Sequence, residues 1–241
     1  LLMCYPELKR KNRVCQIMSN NYYINKYSQN YFIFLNKFYS KLLPKNKKIK
    51  ILDLGCGDGN FIYFLNTLKY KNVTGIDNDK NLIKLAKNNL LKTNTIQLAD
   101  VKKYLNKKNY FDLIILKDVI EHFDKSEIIL ITKKIYQKLN KNGVLIIQTV
   151  NGQSPFFGIR GFGDITHKTI LTPGVLEKIL NKYNFRTIEI LPVRPQIYNL
   201  SSLFRKLIFS FFELLFKLFL LAENGSSNYV VTQNFVIWAK K

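Results

Sequence analysis

The chain has 241 residues, with 38 Lys and Arg against 16 Asp and Glu, so its formal net charge is +22, and 47% of its residues are hydrophobic. This length predicts one large domain, or one domain with an appendage. The hydrophobic fraction excludes a wholly disordered polybasic chain, because such chains lack the apolar surface that offsets the entropy of ordering. Cys4, Cys15 and Cys56 have no paired spacing, which excludes a disulfide framework and a cysteine-rich zinc module and predicts a reducing, cytoplasmic compartment.

The positive charge has a compositional explanation. The chain holds 26 Asn and only 4 Ala, with abundant Lys, Ile, Tyr and Phe, which is the bias that an A+T-rich coding sequence imposes on any protein. A nucleic-acid site would need basic and aromatic residues concentrated at one place, whereas these lysines are dispersed, so no nucleic-acid partner is expected. The first twenty residues contain no apolar run of signal-peptide length, and Met3 is a candidate start behind Leu1.

Apolar periodicity predicts an alternation of helices and strands. An amphipathic helix is predicted over 22–43, before Pro44, and the elements that follow are near-continuous apolar runs alternating with helical patterns. Strands are predicted at 49–54, 73–76, 95–98, 111–116 and 144–150, and helices at 60–69, 80–91, 101–106 and 126–139. This order is typical of an α/β protein with a parallel sheet and helices on both faces.

The amino-acid composition of the chain changes after residue 150. Residues 151–169 are rich in glycine and form a long loop, and loops of this length inside a compact domain are usually functional or mobile. A helix over 172–183 and a strand over 187–193 come next. Residues 203–222 are the most apolar segment of the chain, and a closing strand is predicted over 229–239.

A glycine-rich loop follows the first predicted strand, in the sequence ILDLGCGDGN of residues 51–60. Gly55, Gly57 and Gly59 let backbone N–H groups approach a ligand at the carboxyl end of the strand. Their spacing differs from the G-x-G-x-x-G pattern of pyrophosphate binding. Asp53 and Asp58 flank the loop, which disfavours a phosphate and favours a cationic ligand.

Acidic residues also follow the next two predicted strands. Asp77, in TGIDND, lies 18 residues beyond Gly59, the distance from which a carboxylate accepts hydrogen bonds from ribose hydroxyls. Asp100, in QLADV, is placed to hold an adenine amino group. A single aspartate of this kind usually caps a loop, but three in the same register after successive strands indicate a shared ligand.

These motifs resemble class I S-adenosylmethionine-dependent methyltransferases, over roughly residues 22–195 and the closing strand. ILDLGCGDG resembles the first motif of that family, TGIDND the second, LAD the third, and FDLIILKDVIEHF the fourth motif and the segment after its strand. The resemblance implies a Rossmann-like doubly wound sheet of seven strands with the last strand antiparallel, and S-adenosylmethionine as cofactor. The cofactor-binding residues that it implies are Asp53, Gly55, Cys56, Gly57, Asn60, Asp77, Asn78, Asp100, Val101, Lys117 and Asp118.

Two short stretches of the sequence indicate which class of molecule accepts the methyl group. KDVIEHF resembles ubiquinone-biosynthesis O-methyltransferases, whereas GFGDITHKTILTP resembles methyltransferases of surface-polysaccharide and lipid-linked glycan pathways. We expect O-methylation of a sugar, a glycan or a lipid-linked small molecule. A quinone-pathway O-methyltransferase and a non-catalytic scaffold of the same fold are the alternatives.

The chain has two histidines, His122 and His167, and both fall in loops at the predicted ligand edge. A histidine titrates near neutral pH and is suited to accept the proton of a hydroxyl, so we expect His167 to be the base, with Asp164 orienting it. His122 is a second catalytic candidate or a structural residue of its loop. Asp118, Glu121 and His122 have a spacing that could present three metal ligands, but a metal-free site is expected.

The predicted organisation is a helical segment over 1–48 that caps the active site, followed by a methyltransferase domain over 49–241. That domain contains an active-site loop at 151–169 and an apolar amphipathic insertion at 200–224. The sixteen residues Leu207–Ala222 are too few to span a bilayer.

Two interpretations of segment 203–222 stay open, and the oligomeric state is not predicted. In the first, the segment covers the sheet or lines the acceptor pocket, with Glu213 paired to Lys217. In the second, it is an interfacial helix flanked by Arg205 and Lys206, which would place the protein at the inner face of the membrane.

Overall fold

The computed structural model describes residues 26–241, and its centre is a seven-stranded sheet. The strand order is β3-β2-β1-β4-β5-β7-β6, and β7 runs antiparallel to both of its neighbours. The strands are β1 (Ile51–Leu54), β2 (Val73–Asp77), β3 (Thr95–Leu98), β4 (Phe111–Lys117), β5 (Leu139–Val150), β6 (Arg186–Pro192) and β7 (Asn234–Lys240). The predicted sheet, with its last strand antiparallel, is confirmed.

Helices flank both faces of this sheet. They are α1 (Gln29–Tyr39), α2 (Asn60–Thr67), α3 (Lys80–Asn89), α4 (Val101–Tyr104), α5 (Lys125–Lys138), α6 (Gly158–Gly161), α7 (Pro173–Lys182) and α8 (Leu200–Asn224), with a 3-10 turn at Ile120–His122. No helix within residues 26–241 is both long enough and apolar enough to cross a membrane.

Two hydrophobic layers hold the helices on the sheet. Successive side chains of a strand point to opposite faces, so Leu113 packs in the first layer and Ile114 in the second. The first layer receives α1, α2 and α3, and the second receives α5 and α7. Leu35 and Tyr39 of α1 are fully buried in the first layer, so α1 is part of the core.

Side-chain caps fix where several helices begin. Ser28, Asp79 and Thr172 each accept a hydrogen bond from a backbone N–H of the first turn of α1, α3 and α7. Such a bond satisfies one of the donors that a helix start leaves without an intrahelical partner. Asn199 and Ser202 form a reciprocal capping box at the start of α8, and Gly225, at φ +68°, ends that helix.

Two predicted boundaries shift, those of the first helix and of the closing strand. The first helix begins at Gln29 and ends at Tyr39, and residues 22–25 of its predicted span lie outside the described residues. The apolar insertion predicted at 200–224 has the same bounds as α8, and Asn199 and Gly225 cap that helix. The closing strand starts at Asn234, and ahead of it the Asn151 side chain donates to the carbonyl groups of Val230 and Thr232, at 2.7 and 2.8 Å.

Candidate cofactor and acceptor site

The glycine loop after β1 has the backbone conformation that its glycines predict. Gly55, Gly57 and Gly59 have φ of +75°, +55° and +88°, a region that side chains resist. A Cβ on Gly55 would lie 2.4 Å from Cγ2 of Val119, so the loop packs tightly there. A Cβ on Gly57 would meet nothing within 4 Å. The loop is therefore braced on one side and open at Gly57.

The end of β2 holds this loop in place. The N–H groups of Gly55 and Cys56 donate to the carbonyl of Ile76, at 2.8 and 2.9 Å. The N–H of Gly57 donates to Oδ2 of Asp77, at 2.8 Å. The predicted cofactor residues of the first two motifs are thus bonded to each other, and exposed Asn78 adjoins them.

Asp53 is the most deeply buried acid of the loop, with 1% of its surface exposed. Its Oδ2 atom makes no hydrogen bond with any residue in 26–241. Burial raises the pKa of this carboxyl to about 7; Lys117 opposes that shift and Asp77 adds to it. A buried carboxylate oxygen beside an open cradle fits a ligand that carries a cationic group.

Asp58 and Asn60 connect the loop to the N-terminal helix. Lys26 Nζ donates to Oδ2 of Asp58 at 2.7 Å, and the Tyr27 hydroxyl lies 3.1 Å from the same oxygen. The Tyr31 hydroxyl donates to Oδ1 of Asn60 at 3.0 Å. Asp58 was expected to favour a cationic ligand, but it pairs with Lys26 instead, so the attraction for a cation rests on Asp53.

Asp100 lies at the same sheet edge as Asp53 and Asp77, because β3, β2 and β1 are adjacent. Its Oδ1 accepts from the N–H of Lys103 at 3.0 Å and caps α4. Val101, the first residue of that helix, is buried in the second layer. The three acids therefore lie on or after adjacent parallel strands, and Asp100 also performs the local capping that a lone aspartate usually performs.

Asp118 follows β4 in the left-handed region, at φ +57°. Gln148 Nε2 donates to both of its carboxylate oxygens, at 2.8 and 2.9 Å, and Asn234 Nδ2 lies 3.3 Å from Oδ1. Lys117 Nζ donates to Oδ2 at 2.7 Å. Tyr39 donates to the carbonyl oxygen of the Gln148 amide. Three side chains therefore fix the direction of this carboxylate, and Tyr39 positions one of them.

Lys117 stays cationic in this network. Burial acts to lower its pKa, but the carboxylate of Asp118, with Tyr31 and Asp53, raises the pKa above the ordinary lysine value. The sequence motifs did not indicate Gln148 or Asn234. Neither residue belongs to a recognisable motif, and the pairing of β5 with β7 brings both to Asp118.

A cavity of about 880 Å³ adjoins Asp118, between α1, α8 and the carboxyl ends of β4 and β5. Its wall is mainly apolar; polar groups lie around Asp118, and Arg160, Arg194, Arg205 and Glu213 also line it. The apolar lining residues are Phe34, Phe156, Val193, Pro195, Ile208, Phe209, Phe212, Phe216 and Val231. The site therefore combines an open glycine cradle with a large apolar chamber.

Two carboxylates line the cavity, and they differ in their partners. Glu213 accepts from Nε and Nη2 of Arg194, at 2.9 and 2.7 Å, and from Lys217 at 3.3 Å. The predicted pair of Glu213 with Lys217 is present, and Arg194 adds the shorter contacts. Within the described lining, Asp118 is the carboxylate that no guanidinium binds.

The predicted catalytic residues meet at one place, beside this cavity. The rings of His122 and His167 lie 4.8 Å apart between centroids, and Asp164 is adjacent. None of the three is among the cavity's lining residues. Asp164 accepts from the hydroxyl of Thr166 at 2.6 Å, while Nδ1 of His167 lies 3.0 Å from the carbonyl oxygen of Gly161. Gly161 therefore orients the His167 ring in place of Asp164, and the role of His167 as base stays a prediction.

The spacing of Asp118, Glu121 and His122 does not produce a shared metal site. The Glu121 side chain is buried and accepts from the Thr149 hydroxyl at 2.9 Å. Asp118 faces Gln148, and His122 faces Thr166. The three side chains have different partners because a 3-10 turn, and not an α-helix, carries the segment.

The sequence profile that describes a methyltransferase domain matches residues 45–182, more than half of the chain. The chain belongs to the methyltransferase domain family. The predicted class, S-adenosylmethionine-dependent methyltransferases of class I, is confirmed at the level of family and fold. The methyltransferase profile ends before β6, so α8 and much of the cavity wall lie outside the matched region.

Known methyltransferases resemble this chain in sequence and in fold. The ubiquinone biosynthesis O-methyltransferase of Rickettsia typhi is 32% identical over 169 residues, 64% of this chain and 65% of that protein. The mitochondrial ubiquinone biosynthesis O-methyltransferase of Saccharomyces cerevisiae is 32% identical over 114 residues, 45% of this chain and 36% of that protein. The chain therefore spans less than two thirds of the length of either relative.

A solved structure of a SAM-dependent methyltransferase from Archaeoglobus fulgidus superposes with a TM-score of 0.63 at 20% identity. The superposition covers 88% of this chain and 99% of that one, and it shows a shared fold. Asp53, with its unbonded buried oxygen, and the open cradle at Gly57 fit S-adenosylmethionine, since that molecule joins a nucleoside to a cationic amino acid portion.

Proposed function

We propose that this protein transfers the methyl group of S-adenosylmethionine to a hydroxyl of an amphipathic acceptor, of the prenylated phenol type that quinone pathways use. The observation that carries this proposal is the apolar cavity of about 880 Å³ that opens onto Asp118. The relatives named for ubiquinone biosynthesis support the same acceptor class. The sugar or glycan acceptor has less support, because an apolar wall offers few partners for many hydroxyl groups.

Asp118 is the proposed proton acceptor of the reaction. When bound, S-adenosylmethionine supplies an electrophilic methyl group on a sulfonium. A hydroxyl placed against Asp118 would donate its proton to the carboxylate as its oxygen becomes the nucleophile. Lys117, Gln148 and Asn234 hold the carboxylate in position, and the apolar wall excludes water, so much of the acceleration would come from orientation. This intact network also supports an enzyme over a non-catalytic scaffold.

Membrane contact through α8 is part of the proposal. Glu213 and Ser202 are the buried residues of this helix, several of its aromatic side chains line the cavity, and a separate stripe of apolar side chains points outward. The outward stripe consists of Leu207, Phe211, Leu214, Leu218 and Leu221, each between 44% and 58% exposed. Their spacing places all five on one helical face. Such a face is typical of a helix lying in a bilayer interface.

The neighbouring loop extends this apolar surface. The Phe156 ring packs edge-on against Phe216 of α8, 5.3 Å between centroids, and Ile159 and Phe162 are about three quarters exposed. The loop that contains Phe156 and helix α8 both border the cavity. Each contributes one arginine to its wall, Arg160 from the loop and Arg205 from α8. These cations complement anionic lipid headgroups, so a bilayer rich in such lipids is the proposed occupant, and an acceptor could enter from it.

A panel of acceptors tests the proposed function. With methyl-labelled S-adenosylmethionine, we expect a short-chain prenylated catechol to be converted to its methyl ether. We expect unprenylated catechol to react with a KM at least tenfold higher, because it leaves the apolar wall unfilled. Transfer to a nucleotide sugar or an oligosaccharide, with none to the prenylated catechol, would contradict the proposal.

Cofactor affinity should depend on pH through Asp53. The pKa of this carboxyl lies near 7, so it is mainly protonated at pH 6 and mainly ionised at pH 8. A cationic ligand favours the ionised form, and calorimetry should therefore show tighter cofactor binding at pH 8 than at pH 6. Asp53→Asn should weaken binding and reduce this pH dependence. An equal pH dependence in the variant would refute the role of Asp53.

Gly57→Ala should weaken cofactor binding at least tenfold, because a methyl group would enter the cradle. The left-handed backbone should also cost about 1 kcal/mol of unfolding free energy. Gly225→Ala is the matched control, since Gly225 has φ +68° and open space around it but lies at the end of α8. The two variants should lose similar stability in denaturant melts, and only the first should lose affinity in calorimetry.

A further inference from the structure

His122, Asp164 and His167 form a cluster of ligand-type side chains that the proposed reaction does not use. One ligand atom from each residue lies within 4.8 Å of those of the other two. The residues come from two segments, the 3-10 turn after β4 and the loop after β5, which lie more than forty positions apart. Sequence spacing could not show this set, and a metal-free site was expected.

The hydrogen bonds around His122 determine which ring nitrogen carries the proton. The Thr166 hydroxyl donates its single hydrogen to Oδ1 of Asp164, at 2.6 Å. The same hydroxyl oxygen lies 2.9 Å from Nδ1 of His122 and must accept there. Nδ1 therefore holds the proton of the neutral ring, and Nε2 keeps its lone pair.

The same reasoning applies to His167. Its Nδ1 lies 3.0 Å from the carbonyl oxygen of Gly161, and a carbonyl oxygen only accepts. Nδ1–H is the donor, and Nε2 again keeps a lone pair. Histidines that bind metals commonly donate their other ring N–H to a backbone carbonyl or a polar oxygen, which fixes the tautomer and the ring direction. Both histidines have such a partner.

We propose that His122, Asp164 and His167 bind one divalent transition-metal ion of the zinc type, through two Nε2 atoms and a carboxylate oxygen. Imidazole with one carboxylate suits zinc, cobalt or nickel, whereas magnesium and calcium prefer oxygen ligands only. Bonds of about 2.0–2.1 Å need ligand atoms closer together than 4.8 Å, and movement of the exposed Asp164 carboxylate toward the two rings would provide that approach.

Such an ion would connect the segment after β4 to the loop that carries part of the cavity wall. Gly161, the partner of His167, follows Arg160, which lines the cavity. The ion would therefore hold residues 158–167 against the 3-10 turn and limit the movement of that wall. This inference does not rest on the proposed function, because metal binding is measured without an acceptor or a cofactor.

Calorimetry on the full chain, purified without a histidine tag and stripped with a chelator, tests the site. We expect one equivalent of Zn²⁺ to bind, and Co²⁺ to give a visible absorption band. His122→Ala, His167→Ala and Asp164→Asn should each lower the affinity at least tenfold. Asp124→Asn is the matched control, because it removes an exposed carboxylate that pairs with Lys168 outside the cluster, and it should bind as the wild type does.

Limited trypsin digestion gives a second readout. Zn²⁺ should slow cleavage after exposed Arg160 in the wild type and should have no such effect in the His122→Ala variant. No stoichiometric binding by the wild type would overturn the proposal. Unchanged zinc affinity in the His122→Ala, His167→Ala double variant would also overturn it, because the metal would then be bound elsewhere.

Discussion

Asp118→Asn is expected to lower turnover at least about 100-fold, the lower range of the effect of a general base, while cofactor affinity changes less than about threefold. Asparagine keeps the size of the side chain and tolerates the left-handed backbone of this position, so the fold should be preserved. It cannot accept the hydroxyl proton. Its amide would also face the donors of Lys117 and Gln148. Steady-state kinetics together with calorimetry for the cofactor measures both effects.

Gln148→Glu provides a comparison within the same network, because it replaces a donor to Asp118 with a second carboxylate. We expect a smaller loss of turnover than in Asp118→Asn, since the proton acceptor remains but loses the two hydrogen bonds that Gln148 donates to it. Asp124→Asn, on the exposed surface, should leave turnover unchanged. If Asp118→Asn retained turnover while His167→Ala abolished it, His167 would be the general base, as the sequence predicts, and the proposed role of Asp118 would be wrong.

Replacing Leu207, Phe211, Leu214 and Leu218 together with serine should lower vesicle binding at least tenfold. Fully burying a leucine or phenylalanine side chain contributes about 1.5–3 kcal/mol. Losing part of this contribution at four positions should therefore weaken vesicle binding by more than tenfold. These residues face away from the protein, so the folded chain loses little packing. Flotation with vesicles of mixed phosphatidylcholine and phosphatidylglycerol measures the bound fraction.

Ile129→Ser with Leu130→Ser is the matched control, because both residues are exposed on α5, on the opposite sheet face from α1. It should leave vesicle binding unchanged. A second copy of the chain could cover the same stripe of α8. If analytical ultracentrifugation showed a dimer that the serine variant dissolves, while vesicles bound neither form, α8 would be a protein interface and the membrane proposal would be wrong.

The sequence was sufficient for the fold because nearly every strand is a short apolar run between helical patterns. The run 111–116 is typical of a strand buried on both faces, and the structure places Leu113 and Ile114 in opposite layers. The glycine loop was predictable for a similar reason, since three glycines within five residues indicate a backbone that other residues resist. Each of these signals lies within a short segment, so a single sequence contains all the information that it needs.

The acceptor side of the site was less predictable because its residues converge only in three dimensions. No sequence motif contains Gln148, Asn234 or Arg194. The role of each residue follows from the pairing of β5, β6 and β7 or from the position of α8. The two histidines lie together in the segments after β4 and β5, yet periodicity does not say which side of a loop faces a cavity. Asp58 was expected to favour a cationic ligand, and the sequence did not show that it pairs with Lys26, because the two residues are 32 positions apart.

The most direct test of the central claim is a single-turnover experiment with S-adenosylmethionine whose methyl group is deuterated. The wild-type protein, saturated with this cofactor, would be mixed with anionic vesicles that contain a prenylated catechol, and the lipid extract examined by mass spectrometry. The account predicts one deuterated methyl group on a phenolic oxygen, formed by the wild type and nearly absent with Asp118→Asn. Tight cofactor binding with no label on the prenylated catechol, or label on a carbohydrate alone, would contradict it.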